Sequence, residues 1–297
     1  MAIAQTATTD NAEGRFRLFA LGLRPFYLVG ALFAAIAMPL WLAVLRGWIA
    51  WQGYLSGFAS HAHEMLLAVA ADIIAGFLLT DMRHWTGRPT AVGRPLAVLV
   101  LLWIAGRVLV ITGPGWAAAM VDAAFLPGLT VAIAIPLIAA RNRRNALVVA
   151  AVAGLALVNI GFHVATLSGY GPAVGQGALL PAFDLLALLM TVIAGRVIPL
   201  FTRNAVPGAR PVTIRSLDMA AIGLIGVILL VDLTHPALPP AALAGLFALT
   251  ALVHAVRLTL WDPLATRGQP LLWCLPLSYA WLPLAFALRT SAMLGAP

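Results

Sequence analysis

"ASHAHEMLLAVAADIIAGFLLT", residues Ala59–Thr80, is apolar enough to cross a bilayer, yet it carries His61, His63, Glu64 and Asp72. A charged side chain at the bilayer centre costs at least about 2.5 kcal/mol on the mildest scale, so a membrane helix that keeps such groups is expected to use them. The rest of the chain makes a membrane the setting. Its 297 residues are 62% hydrophobic and only 9% charged, where a soluble domain has roughly 25% charged residues. A β-barrel would alternate apolar and polar residues in short segments, and no such segments occur. The chain therefore reads as an all-α, polytopic transmembrane helix bundle in a single integral membrane domain spanning 1–297, with residues 1–20 as a frayed cytoplasmic tail.

Nine spans are expected, at roughly 25–45, 58–80, 95–112, 117–139, 146–168, 178–200, 216–234, 238–257 and 271–290, each near the ~20 residues that a bilayer requires. Pro and Gly punctuate the connections, as in "TGPGW", "SGYGP" and "THPALPP". All eighteen basic residues are arginine, and they lie mostly between spans, which argues against nucleic acid as a partner and for the lipid bilayer. Arg15, Arg17, Arg24, Arg83, Arg88, Arg94, Arg141, Arg143, Arg144, Arg203, Arg210, Arg215, Arg257 and Arg267 fall on one side, against Arg46 and Arg289 on the other. The positive-inside rule makes the first side cytoplasmic and the N-terminus with it. Arg107 and Arg196 remain inside spans. Cys274 is the one cysteine, which excludes an intrachain disulfide, a cysteine zinc cage and an iron–sulfur cluster.

With this orientation the polar groups concentrate in the outer half: His61, His63 and Glu64 in span two, Arg107 in span three, Asp122 in span four, Asn159 and His163 in span five, Asp184 in span six. Helical spacing puts His61, Glu64, Met65, Ala68 and Asp72 on one face, with His63 pointing nearly the opposite way. Three arrangements follow: one imidazole in a shared site, the two serving different sites, or an irregular first turn that brings both to one metal. Asn159 and His163, four residues apart, share a face. Intramembrane histidines ligate metal or haem, relay protons, or hydrogen-bond between helices. Histidine with Met65 suits copper, and one or two imidazoles with an arginine near the propionates suit a b-type haem. The plainer readings are helix–helix hydrogen bonds for His235 and His254, and snorkelling for Arg107 and Arg196. "IAGFLLTDMR" (74–83) echoes "IAGRVIPLFTR" (193–203), hinting at a four-helix unit used twice, and "IAGRV" recurs at Ile104.

"HAHEM", "IAGFLLT", "HWTGRP", "LWIAGRV", "NIGFH" and "GRVIPLFTRNA" stand here in the order and spacing of the NnrS family, covering roughly Arg24 to Ala205, and "PLLWCLPLSYAWLPL" extends the likeness. The chain resembles that family, which implies a haem- and copper-containing protein of the bacterial inner membrane, tied to denitrification and nitric oxide stress. By position the resemblance picks out His61, His63, Glu64, Trp85, Gly87, Arg107, Asn159, His163, Arg196, Phe201, Thr202 and Arg203. It implies haem b and copper as cofactors. Cofactor binding falls to His61, His63, His163, Arg107, Arg196, Asn159 and Glu64, with His61, His63, His163 and Met65 as metal donors. Nitric oxide or a redox protein is the implied partner. Two departures accompany it. Pro276 stands where members usually have histidine, and members continue through further helices to a "GHTGR"-like ending, so one cofactor position is expected to be missing. The competing readings are a proton- or metal-conducting transporter using Asp72, Asp122 and Asp184, and a non-catalytic assembly subunit.

Overall fold

The structure is a computed structural model and describes residues 18–169, 177 and 179–295. Among these residues nine helices have the length and hydropathy of membrane spans: α1 (Leu23–Leu45), α2 (Gly57–Thr86), α3 (Arg94–Thr112), α4 (Gly115–Ala139), α5 (Ala146–Leu167), α6 (Leu179–Ala205), α7 (Arg215–Thr234), α8 (Pro240–Leu260) and α9 (Pro270–Met293). No strand occurs among the described residues. In hydrocarbon a helix is the one open element that satisfies its own backbone. The number and order of spans agree with the hydropathy reading. Residues 1–17, most of "SGYGP" and the expected start of span six at 178 lie outside the described residues. Leu18–Ala20, assigned above to the tail, form a 3-10 turn whose Phe19 carbonyl accepts the Gly93 N–H at 2.8 Å.

Several helices run past the spans read from hydropathy. α2 continues to Thr86, where Gly87 caps it at φ 65° in the left-handed region, and α6 continues to Ala205. Hydropathy marks the depth of the hydrocarbon, whereas helical hydrogen bonding goes on into the polar interface. α9 is continuous although Pro276 and Pro283 lie inside it. Neighbouring helices make such prolines tolerable in membranes.

Loop contacts assign the ends of the bundle. At the arginine-rich end Leu23 N donates to Thr80 Oγ1, Asn142 Nδ2 to the Trp85 carbonyl, Val212 N to the Leu260 carbonyl and Gln269 Nε2 to the Ala205 carbonyl. At the opposite end the 46–56 connection folds back, and Tyr54 reaches His163.

Each helix packs on its sequence neighbour, except that α2 reaches α4, and α6 packs on both α7 and α9. α1 lies outermost, buried only at Pro25, Phe26 and Gly30. One continuous apolar core runs through the bundle, with Phe26, Leu67, Leu78, Trp103, Phe125, Leu155, Ile225, Phe247 and Phe286 among its buried side chains. In the interior between α2, α3, α4 and α5 that packing gives way to polar groups.

Candidate metal centre

The centre is built on an irregularity in α2. Residues Gly57–His63 are α-helical, Glu64–Val69 form a π-helical turn, and α-helix resumes at Ala70. Such a turn adds a residue to the helical repeat and is frequent at functional sites. It shifts the phase between the quoted histidines and the rest of the span. His63 and Glu64 both turn inward and are buried. His61 turns instead to α1, where its ring stacks on Trp41 at 3.8 Å between centroids. Of the three arrangements left open above, the two imidazoles meet different surroundings.

Asp122 of α4 sits in the middle. Its Oδ1 forms an ion pair with Arg107 of α3. Its Oδ2 accepts from Asn159 Nδ2 at 2.9 Å, lies 2.7 Å from His163 Nε2 and 3.4 Å from His63 Nε2. Arg107 Nη1 also donates to Glu64 Oε2 at 2.5 Å, and Glu64 Oε1 is 3.1 Å from His63 Nδ1. The two imidazole centroids are 5.2 Å apart. Phe162 stacks on His63 at 4.8 Å and shuts the site off on that side. Gly106 lets α3 approach α4 this closely: a Cβ there would stand 3.2 Å from Asp122 Cα. Trp103 Nε1 donates to the Ala68 carbonyl, tying the π turn to α3.

Chemistry follows from counting charges and lone pairs. Glu64 and Asp122 bring two negative charges, and Arg107 brings one positive charge. A negative charge left uncompensated in a buried site is costly. His63 faces acceptors on both sides, Glu64 Oε1 at Nδ1 and Asn159 Oδ1, 3.0 Å away, at Nε2. The ring satisfies both contacts only with positive charge at hand, as a second ring proton or a metal ion. Metal-binding histidines usually donate their other N–H to a carboxylate, which is the relation of His63 to Glu64. His163 has Tyr54 O–H at 3.4 Å from its Nδ1. Burial raises the Tyr54 pKa, so the phenol stays a hydroxyl that serves either imidazole tautomer. Donor atoms of His63, Asp122 and His163 all lie within 4.8 Å of one another. Two imidazoles and a carboxylate form a donor set for a first-row transition metal.

The remaining expected residues lie elsewhere. His61, Glu64 and Met65 line a small apolar pocket with Trp41, Ser60 and Ile111, so His61 and Met65 stand apart from the His63–His163 group. Arg196 is at the arginine-rich end, where it donates to Asn145 Oδ1 and lies over Trp85 at 6.0 Å. Near it, Phe201 is exposed, whereas Thr202 is buried. Arg203 Nη2 is 3.5 Å from the Pro211 carbonyl. Pro276 is buried within α9. Asp72 is buried against Gly30 of α1 with no hydrogen-bond partner among the described residues. His254 makes a hydrogen bond with Tyr279 Oη at 2.5 Å. Two arginines counted at the ends of their spans turn into the bundle. Arg257 is buried on α8, and Arg289 on α9 pairs with Asp184 and Asp232 at 3.3 and 2.7 Å. Asp122 was legible as an intramembrane acid, but its place at the hub was not. Tyr54 and Asn145 gave no sequence signal, being ordinary loop and helix-start residues.

Fold and site define a class: an all-helical, multi-pass membrane protein with a buried His/Asp group able to hold a metal ion. Within that class, the NnrS protein family matches residues 17–297, and the chain belongs to it. No curated protein and no solved structure matches the chain.

Proposed function

We propose that this protein holds a copper-class transition metal at His63, Asp122 and His163 and acts in the nitric oxide (nitrosative) stress response or denitrification, with nitric oxide or a redox protein as its partner. One observation carries the metal reading: three donors from three helices converge within 4.8 Å in a site whose fixed charges leave a cation wanting. The link to nitric oxide rests on the likeness to NnrS proteins. Bound there, the metal would supply electron transfer or ligand binding. The chain's own part is to aim the donors: Glu64 orients His63, Asn159 bridges His63 and Asp122, and Arg107 neutralises the outer oxygen of Asp122.

Haem is the other cofactor the resemblance implies, with His63 or His61 together with His163 as the expected ligands. Here the Nε2 atoms of His63 and His163 both close on one carboxylate oxygen, an arrangement that fits an ion and not a flat ring between them. The arginine bias supports a cytoplasmic N-terminus and the likeness to NnrS proteins supports the bacterial inner membrane; reporter fusions at the two ends of the α1–α9 bundle should report opposite sides.

The test is elemental analysis with absorption spectroscopy on protein purified from copper-supplemented membranes. About one metal ion per chain is expected, lost in His63→Ala and His163→Ala and retained in His61→Ala. Metal-free wild-type protein after supplementation, or equal metal in all variants, would overturn the assignment.

A further inference from the structure

A second concave site opens at the arginine-rich end, between α5, α6, α7 and α8. It has about 960 Å³ of free volume and is lined by Arg144, Arg196, Arg203, Arg215 and Arg257. Asp218 is the one acidic residue in that lining among the described residues. The arginines are graded by depth. Arg257 is buried at the floor, where Nε holds Asp218 at 2.9 Å, Nη1 donates to Tyr279 and Nη2 to the Thr191 carbonyl. Arg196 is half-buried in the wall and pinned by Asn145. Arg144, Arg203 and Arg215 stand exposed at the rim, and the guanidinium groups of Arg144 and Arg215 have no ion-pair partner among the described residues. Gly195 permits the arrangement, since a Cβ there would reach within 2.5 Å of Arg257 Nη2.

Five guanidiniums against one carboxylate leave a strong positive excess in a recess with low-dielectric walls. Guanidinium forks match phosphate oxygens two at a time. The other walls are apolar: Val192, Pro199, Leu200, Met219 and Ile222, of which Leu200 and Met219 are exposed on the outer face of the bundle. That combination of a charged rim with an apolar, outward-opening flank suits an amphiphile. Basic recesses between transmembrane helices bind anionic lipid head groups.

We propose that this cleft binds a phosphate-bearing anion, with the phosphate held by Arg196 and Arg215 and an apolar tail lying along α6 and α7. The site is separate from the His/Asp centre, and its test does not depend on metal. The full chain is purified, delipidated and offered phosphatidylglycerol or phosphatidylcholine, and retained lipid is counted by native mass spectrometry. Phosphatidylglycerol should be preferred, and the preference should weaken roughly fivefold for each arginine removed in Arg196→Gln and Arg215→Gln. Arg144→Gln, at the rim and outside the helix packing, gives the same readout if the deeper variants fail to fold. Arg46→Gln, at the opposite end, should change nothing. Millimolar inorganic phosphate separates the two sources of the group: displacement of the lipid assigns the site to a soluble phosphate, and resistance assigns it to a lipid head group. Equal retention of both lipids in wild type and variants, with no effect of phosphate, would overturn the proposal.

Discussion

The two polar centres of this bundle are opposite in construction. Between α2 and α5 the side chains present lone pairs: two imidazoles, two carboxylates and an amide around a single guanidinium. Between α5 and α8 they present N–H groups, five guanidiniums around a single carboxylate. One centre is sealed by aromatic rings and short of positive charge. The other is open and short of negative charge. Both use the same local device, a glycine preceding an arginine in "IAGRV". Gly106 brings α3 close to Asp122, and Gly195 brings α6 close to Arg257. The same motif thus stands against a carboxylate in one half and a guanidinium in the other, because the residue it admits differs.

The comparison can be broken most severely at Asp122. Asp122→Asn removes the charge that Arg107 and both histidines share, and breaking a buried ion pair costs about 3–5 kcal/mol. A large fall in thermal stability in detergent, together with loss of metal, is expected; unchanged melting would show that Asp122 is not the hub. Glu64→Gln tests the support of His63 more gently. Loss of a partner of this kind weakens metal binding about 10–100-fold, read by competition with a chelator, while the fold persists.

In the other half, Gly195→Ala sharpens the contrast. The added methyl meets the Arg257 guanidinium, and overpacking of this kind costs about 1–3 kcal/mol. Anionic lipid retention should fall with stability, and metal content should stay at the wild-type level. The smallest effect belongs to His254→Ala. Its hydrogen bond to Tyr279 is an ordinary helix–helix contact, worth on the order of 0.6 kcal/mol in membranes. Metal and spectrum should not change. Loss of metal in His254→Ala would merge the two centres into one system.

Hydropathy and arginine spacing made the helix count and order readable, because lipid imposes one element type and one length. The buried polar cluster was readable in part for a similar reason: His63, Glu64, Arg107, Asn159 and His163 stand out as polar residues in apolar spans. What pattern alone misplaced depends on phase and depth. A regular helix makes His61 the face-mate of Glu64, and the two do line one small pocket, but Glu64 also reaches Arg107 and His63 in the interior whereas His61 stacks on Trp41. Arg257 and Arg289 stand at the last positions of their expected spans and count towards opposite faces, yet the helices continue past both and their guanidinium groups pair inside the bundle. Asp122 carries no local signal beyond its charge, and its role appears only when three other helices are packed around it.

The π turn has a consequence for how such a protein can change over time. Upstream of it, α2 displays one register, set by what His63 and Glu64 must reach. Downstream, Ala71, Ala75, Leu78 and Met82 follow a second register, set by packing in the core. A single-residue deletion between Glu64 and Val69 would convert the turn to ordinary α-helix and leave the flanking segments in their present phase, because the turn winds less per residue by about the 100° that one residue contributes. The core half of the span would keep its seat. The helix thus carries an expansion joint: the turn takes up one residue between the polar cluster and the core, and neither end inherits the disturbance of its gain or loss.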